Sequence, residues 1–410
     1  MIKFAAILLM CASAYAAKYN CSAKSALLIL KRPTYEFSVK LLDRVAQDND
    51  NHFVFSPIST YLQLLALAEG ANGRTLREIR NVTRHHQNRC FRRKWRWILN
   101  RLDAELAIES KRRSLIVLDR LMAIKKPFIR EIERLKSMDV MLLDFYNSAL
   151  SAERANREIS DATNGVIKEV FTPNDFNPKI HPGILMADTS YYKSDWKIPF
   201  DPVYTSSEPF YSRTGQEAGE VLMMTRIDYF NYAEIPVINA KVLELPCGSD
   251  DRVSMLVFLP LRNNIDDVFY LMQKVRLMSI FNAFKKNKPK LVHVKIPKFK
   301  ITSDIDNIPE LVYDMGVKSV FHPNLANLKG ITDFKLYASL MTQIADIEIT
   351  EKGVQTAVAG FLVSDKNSIE FFANKPFAYM LVDKKTEIIL FGGTYSIPLG
   401  MNDLSLSNET

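Results

Sequence analysis

Residues 348–377 constrain this chain most, because they combine the composition of a buried strand with the boundaries of a loop. Between Gly353 and Ser364 the sequence has no charged residue and no proline. In an extended chain, one face would carry only apolar or small residues: Val354, Thr356, Val358, Gly360 and Leu362. That composition is typical of a strand buried on both faces, yet the polar run at 364–368 predicts an exposed loop. Exposed strand-like segments promote strand addition, so we expect the protein to use this one.

The motifs around this stretch carry a resemblance to a known family. EKGVQTAVAG, followed by FFANKPFAYML and ILFGGTYSIP, resembles the reactive-loop hinge and C-terminal strands of serpins, with insect-type secreted serpins as the nearest branch. The resemblance covers essentially the whole mature chain. It implies an α+β serpin fold, with helices packed around mixed and antiparallel β-sheets and an exposed reactive loop at about residues 353–373. The chain has no repeat and no long linker, which favours a single domain over residues 17–410.

The first 16 residues predict a secretory signal peptide. Lys3 precedes an apolar run from Phe4 to Ala14, and small residues at 14 and 16 suit a cleavage site. The alternative is an N-terminal core helix. No other run is long and apolar enough to span a membrane, and the C-terminal residues contain no retention signal or anchor. We therefore expect a secreted, extracellular, soluble protein.

The mature chain retains three cysteines: Cys21, Cys90 and Cys247. An odd number cannot pair fully within one chain, and a chain this large needs no disulfide. Buried or free thiols are therefore the favoured interpretation, with a bond between Cys21 and Cys90 as the alternative. Acceptor sequences for N-glycosylation begin at Asn81 and Asn20, of which Asn81 is the better candidate, and a third begins at Asn408.

Basic residues concentrate between residues 84 and 113, although the net charge of +8 is modest. Six cations crowd the start of this region: Arg84, Arg89, Arg92, Arg93, Lys94 and Arg96. The resemblance places them near the helix with which some serpins bind heparin-like glycosaminoglycans. A row of guanidiniums on one side would bind sulfated polyanions with an affinity that falls as salt rises. The alternative is the solvated face of an ordinary amphipathic helix. We expect no binding of nucleic acid, because no motif that reads it is present.

The sequence contains no constellation typical of an enzyme. It lacks the G-x-S-x-G, P-loop, G-x-G-x-x-G and H-E-x-x-H motifs. Its six histidines are scattered, and none has zinc-ligand spacing with a cysteine. A triad assembled only in space is the alternative, because triads have no fixed spacing. We predict a monomeric protein that is not an enzyme and needs no cofactor or metal.

The resemblance implies suicide inhibition. A serine protease would cleave the loop, and the freed segment would insert as a new strand into the main sheet. The hinge that permits this would comprise Glu351, Gly353, Val354, Thr356, Ala357, Val358 and Ala359. A charge on the inward face would cost several kcal/mol to bury, so the apolar face favours an inhibitor. Val354 stands where inhibitory relatives have threonine or serine, and Val358 is bulkier than their alanine. The alternative is a non-inhibitory serpin that carries a ligand or signals.

The resemblance also implies a region that controls the opening of the sheet. Ser56 and Ser59 would lie beneath its centre, although both also suit ordinary helix capping. Asp188 and Gln343 replace the family's asparagine and histidine, and the Gln343 amide can donate a hydrogen bond to Asp188. Two further contacts would lie at the top of the sheet. Trp196 would lie where the loop enters the sheet; the alternative is that it is an ordinary residue of the hydrophobic core. Lys298 would form an ion pair with Glu351 that contributes about 0.2–1 kcal/mol to stability. The alternative is that both are unpaired surface charges.

The bond cut by the protease is predicted in two ways. Family spacing from Glu351 indicates Asn367–Ser368. Chemistry favours Lys366–Asn367, because Lys366 is the only basic residue in the exposed loop and trypsin-like proteases require a cation there. The remaining alternative is a polar tip with no fixed cleavage site. The predicted partner is an extracellular trypsin-like serine protease.

Apolar periodicity predicts where some of the secondary structure lies. It indicates helices over 35–46, 61–68 and 152–170, and strands at 53–55, 115–124 and 140–145. Two separate strands are predicted at 221–224 and 228–233.

Overall fold

The structure, a computed structural model, describes residues 20–49, 52–177, 183–193, 195–248, 250–262, 264–352 and 368–398. Nine α-helices lie in these ranges: α1 (Ala23–Asp48), α2 (Pro57–Gly70), α3 (Gly73–Thr83), α4 (Arg89–Glu105), α5 (Lys126–Ile132), α6 (Ser148–Ala162), α7 (Asp267–Met272), α8 (Leu277–Asn287) and α9 (Ile308–Met315). None of the helices in the described ranges has both the length and the apolar character needed to cross a membrane.

Fourteen strands lie in the same ranges: β1 (Phe53–Phe55), β2 (Ser110–Asp119), β3 (Met138–Leu143), β4 (Ile184–Lys193), β5 (Ser206–Tyr211), β6 (Glu217–Ile235), β7 (Ala240–Cys247), β8 (Val253–Pro260), β9 (Lys290–Pro297), β10 (Phe299–Ile305), β11 (Ala338–Ile349), β12 (Ile369–Phe372), β13 (Phe377–Asp383) and β14 (Ile388–Tyr395). The nine-stranded sheet has the order β1-β14-β13-β8-β7-β6-β9-β12, and β5 pairs with β6. The five-stranded sheet has the order β10-β11-β4-β2-β3. Helices packed on mixed sheets confirm the predicted α+β fold.

The central strand β4 is buried on both faces of the five-stranded sheet. Ile184 and Met186 belong to the main hydrophobic core, whereas Leu185 and Ala187 belong to a second, smaller core. Helix α6 supplies Ala152, Ala155 and Ile159 to this second core. Because successive strand residues point to opposite faces, α6 covers one face of the sheet and the main core covers the other.

Helix α2 starts beside the centre of this sheet. Ser56 is its extended N-cap residue, and Pro57 occupies the first turn, where its missing N–H is not needed. Thirteen of the fourteen helix residues are buried, and the helix contacts β4 and β14. Gly70 ends it against Ile331, where a Cβ would lie 2.2 Å from the Ile331 Cγ1. The predicted helix over 61–68 is confirmed and begins one turn earlier.

Several predicted elements have different bounds in the structure. The helix predicted over 35–46 is part of the longer α1, and the strands predicted at 115–124 and 140–145 correspond to β2 and β3, which begin and end earlier. The helix predicted over 152–170 ends at Ala162, because Thr163 donates to the Ile159 carbonyl and Asn164 and Gly165 have left-handed φ values of 53° and 77°. The strands predicted at 221–224 and 228–233 form the single strand β6. Its residues 223–230 pair with β9 and its residues 231–235 with β7, so the ladder continues through the polar residues between the two predicted strands.

A disulfide joins Cys21 to Cys90, so the favoured prediction of free thiols is wrong for these two residues. Cys21 precedes α1 and Cys90 lies in the first turn of α4; the two helices are in contact, and the Cα atoms are 6.3 Å apart. Cys247 is free and buried, and burial raises the pKa of its thiol to about 12.

Candidate functional site

The candidate site follows the seam between β4 and β11, which are adjacent parallel strands in the middle of the five-stranded sheet. Their pairing ends at Glu348 and Lys193. After β11 the chain continues through residues 350–352 toward the predicted loop, and residues 353–367 lie outside the described ranges. The chain is described again from Ser368, which precedes β12, and β12 pairs with β9 in the nine-stranded sheet. The predicted loop therefore connects a central strand of one sheet to a strand of the other.

A buried group that we call the serine cluster lies at the middle of the seam and contains Ser56, Ser59, Ser114 and Ser190. Gln343 and Asp188 share one register position there. The Gln343 side chain accepts a hydrogen bond from the Ser56 N–H at 2.6 Å and donates one to the Ser56 carbonyl at 3.0 Å. Asp188 instead accepts from the hydroxyls of Ser114 and Ser190. The predicted hydrogen bond from Gln343 to Asp188 is therefore wrong, because both groups have nearer partners.

The serine cluster links the two strands through the first turn of α2. Ser59 Oγ donates to Ser56 Oγ at 3.2 Å and lies 3.1 Å from Ser190 Oγ. Ser190 belongs to β4, and Ser56 is bonded to Gln343 of β11. Parting the two strands would therefore break a continuous chain of hydrogen bonds.

Asp188 has no exposed surface. Burial raises the pKa of its carboxyl, while the charge of Arg112 and the hydrogen bonds from Ser114 and Ser190 act in the opposite direction. Burying an ionised carboxylate costs free energy unless the group is paired with a cation and hydrogen-bonded. The direct contacts of the Asp188 carboxyl are with hydroxyl groups. The middle of the seam thus contains a titratable group whose ionisation is opposed by its surroundings.

A second group, which we call the tryptophan clamp, lies at the C-terminal end of the seam. The indole Nε1 of Trp196 donates to the Thr350 carbonyl at 2.6 Å, and its backbone N–H donates to the Lys352 carbonyl at 2.9 Å. The Phe200 N–H donates to the Glu351 carbonyl at 3.0 Å. Trp196 is only 3% exposed and packs edge-on against Phe200. The clamp holds the backbone that precedes the predicted hinge.

Two partly exposed ion pairs accompany the tryptophan clamp. Lys298 Nζ lies 3.2 Å from Glu351 Oε2, which is the pairing that the sequence suggested. Lys193 Nζ lies 2.6 Å from Glu348 Oε2 and bridges β4 and β11 directly. At this exposure each pair contributes about 0.2–1 kcal/mol.

Comparison with known proteins identifies the family of the chain that contains this seam. The family model described as Serpin (serine protease inhibitor) matches residues 33–398, which include both strands and all the contacts above. The chain belongs to the serpin family.

Relatives and solved structures agree with that assignment. The leukocyte elastase inhibitor of Xenopus tropicalis is 28% identical over 377 residues, which cover 88% of this chain and 97% of that protein. The structure of Manduca sexta serpin-12 is 26% identical, has a TM-score of 0.77, and is matched over 89% of this chain and 98% of its own. The structure of native protease nexin-1 with heparin has a TM-score of 0.79, with 91% and 100% coverage; at 21% identity it shows a likeness of fold.

The residues predicted to form the reactive loop fall mostly outside the described ranges. The hinge residues Gly353, Val354, Thr356, Ala357, Val358 and Ala359 lie there, as do Lys366 and Asn367. Glu351 is described in the clamp, and Ser368 is half-buried next to β12. The choice between the two predicted cleavage sites stays open.

The predicted row of basic residues is divided by the fold of α4. Arg84, Arg89, Arg93 and Lys94 are exposed. Arg96 is only 7% exposed and lies 2.8 Å from Glu131, and Arg92 lies 3.4 Å from Glu69. Of the six candidate cations, Arg92 and Arg96 are therefore not available to a polyanion, because their side of the helix packs against the protein beside the buried Trp95.

The exposed side of α4 keeps a basic stripe at four-residue spacing: Arg89, Arg93, Trp97 and Arg101. Trp97 is 51% exposed, and the Arg101 guanidinium lies 5.6 Å from the centre of its ring. Arg89 and Arg101 pair with Glu131 and Glu105 respectively. The charge of the stripe is therefore partly neutralised at both ends.

The described histidines have local partners rather than a shared site. His52 Nδ1 accepts from the Ser396 N–H at 3.2 Å, and His85 Nε2 lies 3.7 Å from Glu69. Within the described ranges, no group of three or more histidine, cysteine, aspartate or glutamate side chains could hold a metal ion. Of the glycosylation acceptors, Asn81 is exposed in the last turn of α3 and Asn20 is exposed before α1, and their modification stays a prediction.

Sequence reasoning missed several participants, among them Ser114, Ser190, Phe200 and the pair formed by Lys193 and Glu348. Ser190 could have been found, because it follows Asp188 by two positions and so shares its face of the strand. Ser114 lies on β2 opposite Asp188, and only the register of the two strands brings it there.

Proposed function

We propose that this serpin is a secreted suicide-substrate inhibitor of an extracellular trypsin-like serine protease. The observation that carries the proposal is the seam, where two parallel strands lie side by side and the predicted loop follows directly from one of them. A segment that folds back from residue 352 into the seam would run antiparallel to both β4 and β11. Insertion would replace one parallel pairing by two antiparallel ones, which are slightly more stable per residue.

The chemistry of trapping follows from this arrangement. The protease serine Oγ attacks the carbonyl carbon of Lys366, the bond to Asn367 breaks, and the new Asn367 amine leaves with the segment that continues into β12. Residues up to 366 stay esterified to the protease. Their insertion pulls the protease along the sheet and misaligns its oxyanion-hole donors, so that hydrolysis of the ester stalls.

The contacts around the seam support a mechanism in which the two strands are held together before the segment inserts. Insertion has to disrupt the Ser59–Ser190 link and the bridge from Lys193 to Glu348. The inward face of the entering segment carries no charge to bury. The closed seam thus delays insertion until cleavage frees the segment.

The test is to mix the purified protein with trypsin and, separately, with a chymotrypsin-like protease, and to run denaturing gels. We expect an SDS-stable complex with trypsin, and a released C-terminal peptide whose mass begins at Asn367. A peptide beginning at Ser368 would support the other bond. Cleavage without a complex would overturn inhibition and leave the non-inhibitory alternative, for which the replacement of asparagine and histidine by Asp188 and Gln343 is the favouring observation.

We propose as a second function that the exposed cations of the basic region bind heparin-like glycosaminoglycans. Arg84, Arg93 and Lys94 are exposed, and the structurally similar protease nexin-1 was solved with heparin. The double variant Arg93→Gln/Lys94→Gln should elute from a heparin column at lower salt than the wild type. Arg154→Gln, which removes an exposed cation on α6, is the control. Equal elution of all three proteins would contradict the assignment.

A further inference from the structure

The connection between α3 and α4, residues 84–88, places a buried histidine inside the basic region. The His85 side chain is only 8% exposed, whereas Arg84 before it and Arg89 after it are exposed. His85 lines a small pocket, which we call the histidine pocket, together with apolar side chains of α2, α4 and α5: Leu65, Trp95 and Ile132. The charged groups around it are Glu69 of α2, Arg80 of α3, Arg92 and Arg96 of α4, and Glu131 of α5.

One carboxylate oxygen of the histidine pocket is shared by three basic side chains. Glu69 Oε1 lies 3.7 Å from His85 Nε2. The same oxygen lies 3.4 Å from Arg92 Nε and 3.5 Å from Arg96 Nη1. Three arginines therefore face two carboxylates before His85 takes up a proton. A protonated His85 would add a cation to a buried group that already has an excess of positive charge, which costs free energy.

Burial and charge both favour the neutral imidazole in the histidine pocket. Burial lowers the pKa of His85, and the charges of Arg92 and Arg80 lower it further. Glu69 acts on this pKa in the opposite direction. A histidine in solvent titrates at about pH 6.5. Because the buried form binds the proton more weakly, lowering the pH through about 6.5 favours a form in which His85 is exposed.

The connection is fixed at both of its ends. The Thr83 carbonyl, at the end of α3, accepts a hydrogen bond from the buried Tyr61 hydroxyl at 3.1 Å. Cys90, in the first turn of α4, is joined to Cys21 by the disulfide. Residues 84–88 can therefore move while α3 and α4 stay in place.

Few hydrogen bonds hold the connection between these ends. The His85 N–H donates to the Thr83 hydroxyl at 3.3 Å, and Arg92 Nη1 donates to the Gln87 carbonyl at 2.7 Å. Arg84 has a left-handed φ of 54°, which is uncommon for a residue with a side chain. Segments with few stabilising contacts open locally at a low free-energy cost. Release of His85 therefore breaks few contacts.

We propose that acidification below about pH 6.5 releases the connection and makes His85 an additional binding residue for sulfated polyanions. The released imidazolium lies between Arg84 and Arg89 in the sequence, and both of these cations are exposed. Each cation that contacts a polyanion adds to the affinity and to its dependence on salt. The polyanion therefore binds the released form better and shifts the equilibrium toward it. The inference rests on the proposed binding of heparin-like glycosaminoglycans and adds its dependence on pH.

The binding is tested by titrating the intact protein with heparin at about pH 7.5 and about pH 5.5. We expect the dissociation constant of the wild type to fall at least about fivefold on acidification, because the released form contributes one more cation. His85→Gln keeps a neutral polar side chain and should lose most of that gain. His86→Gln is the matched control and should retain most of it, because His86 packs against Phe91 and lies outside the histidine pocket. His85→Lys should bind as tightly at the higher pH as the wild type does at the lower one.

The release is tested without heparin, by hydrogen exchange of the amides of residues 85–92 at the same two pH values, corrected for the intrinsic exchange rate. We expect protection to fall on acidification in the wild type and in His86→Gln, and to stay constant in His85→Gln. His85→Lys should show low protection at both pH values. The amides paired between β6 and β9 serve as the internal reference.

The two measurements separate the release from the binding. Constant protection of residues 85–92 in the wild type would overturn the release. An equal gain in heparin affinity by His85→Gln and the wild type would overturn the role of His85 in binding. If none of the proteins binds heparin at either pH while protection falls in the wild type, the proposed glycosaminoglycan function fails and the release stands.

Discussion

The middle and the C-terminal end of the seam are held closed by different chemistry. At the middle, the serine cluster and Asp188 are buried, and their contacts are hydrogen bonds among hydroxyl, amide and carboxyl groups. At the end, Trp196 donates to two backbone carbonyls, one from its buried indole and one from its backbone N–H, and two partly exposed ion pairs lie beside it. The middle should therefore respond to pH and hardly to salt, because screening acts on exposed charges. The end should respond to loss of aromatic packing and, weakly, to salt.

The largest effect is expected from Trp196→Ala at the C-terminal end. The substitution removes a large buried side chain and leaves the Thr350 carbonyl without its donor. We expect a loss of about 3–5 kcal/mol in the free energy of unfolding, measured by denaturant titration. The freed end of β11 should also exchange its amide hydrogens faster.

Trp196→Phe is the matched control, because it retains an aromatic ring and removes the indole N–H. It should lose only about 0.5–1.5 kcal/mol. Equal losses in the two variants would mean that the hydrogen bond to Thr350, and not packing against Phe200, provides most of the stabilisation.

The second effect concerns Asp188 and depends on pH. Its native pKa is raised above the ordinary value of 3.8 that we take for the unfolded chain, so the native state binds the proton more tightly. Its contribution to stability is therefore fully present below about pH 3.8 and falls as pH rises through the native pKa. Asp188→Asn should remove this dependence, so that the variant gains stability relative to the wild type as pH rises.

Asp188→Ala sharpens the same point at about pH 4, where the raised pKa makes the native carboxyl more protonated than that of the unfolded chain. It should cost about 1–3 kcal/mol, because the Ser114 and Ser190 hydroxyls lose their partner. The measurement is urea unfolding of the three proteins between about pH 4 and pH 7. A constant difference between wild type and Asp188→Asn over that interval would contradict the assignment of the pH dependence to this carboxyl.

Some contacts in these two regions could be predicted from motifs in the sequence, whereas others depend on which side chains the fold brings together. The resemblance in sequence placed Trp196 at the end of the sheet and paired Lys298 with Glu351, because matching motifs imply the same strands in the same register. The partners of Asp188 and Gln343 were not predictable, because they depend on which of several nearby hydroxyls each polar group reaches. Ser114 enters the cluster only through pairing of β2 with β4.

The basic region shows the same limit at the level of one helix. The cations of residues 84–96 were recognisable as a group, but the inward side of α4 was not assigned from the sequence. Arg92 and Arg96 are four residues apart, flanking the buried Trp95, and both contact Glu69. A helix boundary at Arg89 and a count of inward positions would have separated them from Arg93 and Lys94.

The smallest effect is expected for the ion pairs at the C-terminal end, and it separates charge from packing there. A double-mutant cycle of Lys298→Ala and Glu351→Ala should give a coupling free energy of about 0.2–1 kcal/mol, and so should a cycle of Lys193→Ala and Glu348→Ala. Both couplings should shrink when salt is raised from about 0.1 M to about 1 M, because these side chains are partly exposed. The loss in Trp196→Phe should stay constant over the same range, since an indole hydrogen bond to a carbonyl involves no net charge. If the ion-pair couplings do not respond to salt, the end of the seam is as shielded from solvent as its middle. The two regions would then differ in geometry alone.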